Sequence, residues 1–336
     1  MRYLPTFAVI SLLIVPSVAR AQQISPNPNP AGNTITLDTA VAVNNVPFDN
    51  YGSIKITDGG SLTNQGTLTS SGSLTNNGTI ENRGRAILIN ESGGTLTNNG
   101  PWLGDGGELT NQGTLTNNGM WLEGGKMTNQ GTLINTGTLS VGDTLINDGT
   151  LTSSGSLTNY GTIDTRGGTF TNNGTLSGHG QIKGSYTDHG YTKPGNSAGV
   201  LTIDGDYFKV DGGKEIELGG LFDGGGDNAL AEFDWIDVTG NLELTGTLDV
   251  KLIDDFELQP GHVFNFLRVG GVLSGQYDGL SEGDLVGNFG GQDLFITYGG
   301  GDGNDVALFT AVPEPTTTVL IGSLFVSLGI TARRRV

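Results

Sequence analysis

The chain has 336 residues, of which 58 are Gly and none is Cys, and its formal charge is −18. Glycine at about 17% against a usual ~7%, with only 35% apolar residues spread thinly among Thr, Ser and Asn, excludes a helix bundle. The missing cysteines exclude disulfide scaffolds, Cys-ligated zinc, iron–sulfur clusters and a cysteine nucleophile. Outside residues 1–21 and 312–336 stand 11 basic and 33 acidic residues, a charge of −22, so the chain offers no basic footprint for nucleic acid.

Residues 1–21 read as a signal peptide. Arg2 supplies the charged start, Phe7 to Val15 the apolar run, and Ala19-Arg20-Ala21 the small-residue cleavage site, so signal peptidase is expected to leave Gln22 first. The apolar run is shorter than the ~18 residues a membrane span requires. Residues 22–60 form the expected N-terminal β cap, in which Ile35, Leu37, Val41 and Val43 alternate with polar neighbours and Tyr51 to Ile56 leads into the repeats.

Residues 61–187 are a repeat with a period of six. Leu62, Leu68, Leu74 and Ile80 open it, and it runs without a break through Leu109, Leu115, Trp121, Met127, Leu133, Leu139, Leu145, Leu151, Leu157 and Ile163. Six is even, so every hit keeps one face of a strand, and it is no helix period. In each Thr-Leu-Thr unit the Leu points one way and two small β-tolerant residues the other. The Asn-Gly pairs, as at Asn77-Gly78 and Asn118-Gly119, are expected at corners where φ turns positive. A six-residue unit buries nothing alone. Three units per turn would stack Leu109, Met127, Leu145 and Ile163 above one another, which makes a parallel β-solenoid of roughly seven coils and ~33 Å. The near-copy of Thr67–Arg83 at Thr150–Arg166 indicates growth by duplication of whole coils.

Residues 188–311 lose the hexad and form a C-terminal β-rich region with longer alternating strands such as Leu248–Leu252 and Val263–Leu267. The segment Lys193–Tyr207, with its continuation Asp234–Leu252, resembles the autotransporter-associated β-strand repeat of passenger domains. Those passengers are right-handed parallel β-helices, so the resemblance implies that hand. Gly300-Gly301-Asp302-Gly303-Asn304-Asp305 resembles one calcium-binding nonapeptide of RTX proteins, but it occurs once, and a hairpin turn between Ile296 and Val306 is the expected reading. No cofactor is expected, with calcium as the one alternative.

Residues 312–336 hold Pro313-Glu314-Pro315, then 17 uncharged and mostly apolar residues from Thr316 to Ala332, then Arg333-Arg334-Arg335. As a helix that stretch reaches ~25 Å, enough to cross a slightly thinned bilayer, and the arginines favour the cytoplasmic side. The motif, the single membrane helix and the terminal Arg cluster, in that order, resemble the PEP-CTERM sorting tail of Gram-negative and related bacteria. That resemblance implies an exosortase-type transpeptidase as partner, anchorage in the inner membrane before processing, and a final place at the cell surface or in an extracellular matrix rich in polysaccharide. The alternative is a membrane anchor that is never cut.

Candidate chemistry is sparse. His179, His189 and His262 recur at no common register, and Asp164, Arg166, Lys183 and Asp188 are the residues that could supply the acidic and basic atoms of a polysaccharide lyase on such a scaffold. The sequence therefore favours a non-enzymatic structural or adhesive protein of the cell surface, with no catalytic, cofactor or metal residues. A carbohydrate-active enzyme on the same scaffold is the alternative, recognisable by a cleft that gathers acidic and basic groups.

Overall fold

The computed structural model describes residues 22–312, apart from residues 45, 196, 226, 228 and 229. All the regular elements described are β-strands, most of them four residues long. They stack into three sheets of 13, 14 and 12 strands, here A, B and C, and from Ala40–Val43 to Gly213–Asp223 successive strands visit A, B and C in turn. The expected β-solenoid is thus present. In its regular middle the turn is 18 residues, with Leu109 in register with Met127, Met127 with Leu145, and Leu145 with Ile163.

A coil is built from the alternation in each hexad. In Thr114–Asn117 the Leu115 side chain points inward beside its counterparts from the other two sheets, while Thr114 and Thr116 point to solvent. A second inward position follows two residues later and is filled by Asn. Asn76, Asn98, Asn117 and Asn135 are fully buried one above another on sheet C. Each Nδ2 donates to the Oδ1 of the next amide, at 2.7 Å for Asn76 to Asn98 and 2.8 Å for Asn98 to Asn117 and Asn117 to Asn135. A like ladder on sheet B runs Asn90, Asn111, Asn129, Asn147 at 2.7 Å per step. Buried amides are tolerable only when bonded, and parallel stacking supplies each with an identical neighbour.

The corners differ from the sequence expectation. Gly78, Gly100, Gly119 and Gly137 are not among the residues with positive φ. Their absent side chain is instead a matter of space, because a Cβ on Gly137 would fall well inside contact of the Gly119 carbonyl oxygen in the coil before it, and Gly119 stands likewise over Gly100. The corner backbones lie directly on one another and bond without a gap. Thr136 N and Gly137 N both donate to Asn117 O, at 2.8 and 3.0 Å, and Thr138 N continues to Gly119 O at 2.9 Å.

The stacking extends beyond residues 61–187 on both sides. Thr34–Leu37 pairs parallel with Ser53–Ile56, so the expected cap contributes coils of its own. The end is closed by Gln22–Gln23 and the loop after it, where Asn29 is buried and donates to Asn50 Oδ1 at 2.7 Å. Pro26, Pro28 and Pro30 in that loop lack the N–H another strand would need. Past residue 187 parallel pairing continues to Leu273–Gly275, and one hydrophobic core runs from Ile24 to Leu308. Antiparallel strands Leu285–Phe289, Gln292–Gly300 and Asp305–Thr310 then finish sheet B, the last against Val263–Val269. Like also stacks on like among aromatics, with Trp102 on Trp121 at 4.4 Å and Tyr186 on Tyr207 at 4.8 Å between ring centroids. Among the described residues no helix is long and apolar enough to cross a membrane.

Candidate functional site

Of the residues singled out from the sequence, the structure brings Asp164, Arg166 and Lys183 together and leaves Asp188 and the three histidines apart from them. Ala19, Ala21, Pro313, Glu314, Pro315, Arg333, Arg334 and Arg335 lie outside the described residues. Asp164 and Lys183 are in register on adjacent strands of sheet B. Arg166 forks onto Asp164 with Nε to Oδ1 at 2.9 Å and Nη2 to Oδ2 at 2.6 Å, and this bond holds the Asp164 carboxyl below its ordinary range. Asp188 is not their neighbour on that face, because its side chain is wholly inside the solenoid. The four-residue lyase arrangement is therefore not assembled. His179 packs near the Tyr160 ring at 5.3 Å, His189 Nδ1 lies 3.4 Å from Asp211, and His262 Nδ1 accepts from Gln259 N at 3.2 Å. In the Gly300–Asp305 turn Gly303 N donates to Gly300 O at 2.8 Å and Asp305 Oδ1 accepts from Val269 N at 2.8 Å. Among the described residues no three of His, Asp and Glu are grouped so that they could hold a metal.

Two polar clusters were not legible in the sequence. The first is interior. The Asn column of sheet C continues through Asn172 to Asp188 and then Lys209, and the Leu column of sheet A passes through Thr192 and Lys214 before Leu248 resumes it. Asp188 Oδ1 accepts from Asn172 Nδ2 and Gly190 N at 2.8 and 3.0 Å. Its Oδ2 accepts from Thr192, Tyr207 and Lys209 at 2.7, 2.9 and 3.0 Å. Burial alone would raise this carboxyl, yet the Lys209 charge and these donors hold it below its usual range. Lys214 donates to the Tyr207 hydroxyl at 3.0 Å, and its burial beside Lys209 pushes its ammonium well below the usual lysine range.

The second is a surface cleft of about 450 Å³ on sheet A, lined by Ser177, Lys193, Ser197, Glu215, Glu217, Asp234 and their neighbours. Strand Gly213–Asp223 places Glu215 and Glu217 on one face. Lys193 bonds Glu215 Oε1 at 3.2 Å and Lys251 bonds its Oε2. Burial would raise the Glu215 carboxyl, and the two ammonium groups overcome it and lower it. Glu217 moves the other way, raised by burial and by the Glu215 charge. Asp234 forms the floor, 1% exposed. Its oxygens accept from Gly199 N at 2.9 Å and Glu217 N at 3.0 Å, tying Gly199 to the strand. Burial outweighs those donors, and with the Glu217 charge it pushes the carboxyl up to about 9. Ser197 at φ 135° and Asp254 at φ 53° also line this cleft, and left-handed non-glycine residues tend to gather at binding and catalytic sites. The alternation in Lys214-Glu215-Ile216-Glu217 was the available sequence signal, but alternation alone does not say which coil stands beside it.

A scan against protein-family models finds no match, and a search of the curated proteins finds no relative.

Proposed function

We propose that the chain is a non-enzymatic structural or adhesive protein, exported through its signal peptide and held at the inner membrane by its PEP-CTERM-like tail. An exosortase-type partner then releases it to the cell surface or an extracellular polysaccharide matrix. The coil carries the right-handed sense that the passenger-like repeat implies. The observation that supports this reading best is the set of exposed amide rows along the corners. Asn99 donates to Asn77 and Asn118 to Asn99, both at 2.8 Å, Thr136 donates to Asn118 at 2.6 Å, and Gln112 donates to Gln130 at 3.2 Å. Each amide so engaged keeps a free N–H and a lone pair, a repeating polar edge suited to a repeating polyhydroxyl chain.

Retention of the purified protein on extracellular polysaccharide should fall in an Asn99→Ala/Asn118→Ala double variant whose melting curve stays cooperative. Unchanged retention would overturn the assignment of that edge. A second reading, a carbohydrate-active enzyme, is favoured by one feature. The cleft sets Asp234, a carboxyl pushed up to about 9, beside Glu217 and beside Glu215, whose carboxyl two lysines hold low, and glycoside cleavage uses carboxyls divided in this way. Release of reducing ends or unsaturated sugars, abolished by Glu217→Gln, would replace the structural reading with this one.

A further inference from the structure

The three outer faces of the rod differ in chemistry. From Ser73 to Thr171 sheet C presents two parallel rows. One is Ser73, Thr95, Thr114, Thr132, Thr150 and Thr169, and the other is Thr75, Thr97, Thr116, Ile134, Thr152 and Thr171. Ten of these twelve positions are Thr and none is charged. Over the same coils sheet B carries Glu108, Lys126 and Asp164, and sheet A carries Glu81 with Leu103 and Leu122. In a chain of charge −18, six consecutive strands without a charge on one face argue against a charged partner and against a dissolved polyelectrolyte.

Geometry narrows the choice further. All five strand pairings on this face are parallel and keep register, so like positions repeat at ~4.8 Å across the strands and the two rows lie ~6.7 Å apart along them, over a length of about 24 Å. The inner Leu and Asn ladders fix each strand from behind. None of the ten Thr hydroxyls is hydrogen-bonded to another group among the described residues, whereas on sheet A Thr63 donates to Glu81 and Thr158 bonds Ser177, both at 3.1 Å. A regular, uncharged grid of free hydroxyls alternating with methyl groups, held from behind by the inner ladders, has little to offer a flexible solute. It fits a rigid lattice of water, whose oxygens repeat on a similar scale, with methyls seated in its hollows and hydroxyls bonded into its rows.

We propose that the outer face of sheet C binds the surface of ice. This is independent of the corner amides and of the cleft. The test measures thermal hysteresis and ice-crystal shape for the purified protein and for two variants. Thr116→Arg puts a long charged side chain in the middle of the grid, and Thr128→Arg puts the same side chain at an outward position of sheet B. The parent and Thr128→Arg should show a hysteresis gap and faceted crystals, with equal melting temperatures for all three proteins. Thr116→Arg should lose about tenfold of the gap, because a protrusion lifts the neighbouring rows out of contact range. Absence of hysteresis and shaping in the parent, or equal loss in both variants, would overturn the proposal. Retention on microcrystalline cellulose or chitin without any effect on ice would likewise overturn it, in favour of a solid polysaccharide.

Discussion

Deletions of different length separate a stacked core from a merely repetitive composition. Removing residues 127–144 joins Lys126 to Leu145, which then takes the place of Met127 above Leu109, and all later strands keep their faces. Removing residues 127–132 should also be tolerated, because it moves later strands by one sheet and all three sheets ask for the same inward Leu in their regular coils. Removing residues 127–135 shifts every later residue by nine. Leu139 then takes the exposed position of Gln130, and Leu145 that of Thr136. Leu139, Leu145, Leu151, Leu157 and Ile163 are each 0% exposed in the native chain. At ~1.5–3 kcal/mol per side chain their exposure costs roughly 8–15 kcal/mol, as much as the ~5–15 kcal/mol that holds a whole domain. Circular dichroism melts should show cooperative transitions within a few degrees of the parent for the two even deletions and none for the nine-residue one. A nine-residue variant as stable as the parent would refute the argument.

Gly131→Ala should cost ~2 kcal/mol or more, because its Cβ would overlap the Gly113 carbonyl oxygen, whereas Gly59→Ala, at φ +83° with open space around it, should cost only the ~1–2 kcal/mol of its backbone conformation; denaturant titration compares the two. Asn117→Ala removes bonds to Asn135 Oδ1 and Thr138 O and orphans the amide of Asn98, and should cost roughly 2–3 kcal/mol by the same measurement. Lys214 sheds its proton more readily in the folded chain than in the unfolded one. The unfolded state therefore binds more protons, and this group's contribution rises with pH up to about 10.4, so Lys214→Met should melt higher at pH 7 and lose that rise. Asp234 has the opposite sign. Folded, it keeps its proton to about 9, while unfolded it loses it near ~3.9, so its contribution falls between those values and the fall should vanish from the pH–stability profile of Asp234→Asn.

Fold class, period and coil were all legible in the order of the amino acids. An even spacing of Leu, with corners rich in Asn and Gly, leaves stacking as the only way to bury one apolar residue in six, and the Leu109–Met127–Leu145–Ile163 column comes from counting. Why the glycines are needed was not legible, since φ is a local property and the overlap with the previous coil's carbonyl is not. The Asn-Gly amides expected at corners, such as Asn77 and Asn118, lie there, but the inward amides were not assigned a role, although alternation already put Asn76 and Asn117 on the same side as Leu74 and Leu115; only the neighbouring coil shows that a buried amide finds an identical partner there. The Lys193–Glu215–Lys251 cleft and the Asp188–Lys209 pair join residues 21 to 36 positions apart. Past residue 187 the coils vary in length, so which side chains meet depends on how whole coils register against one another, and that registration exists only in the folded rod.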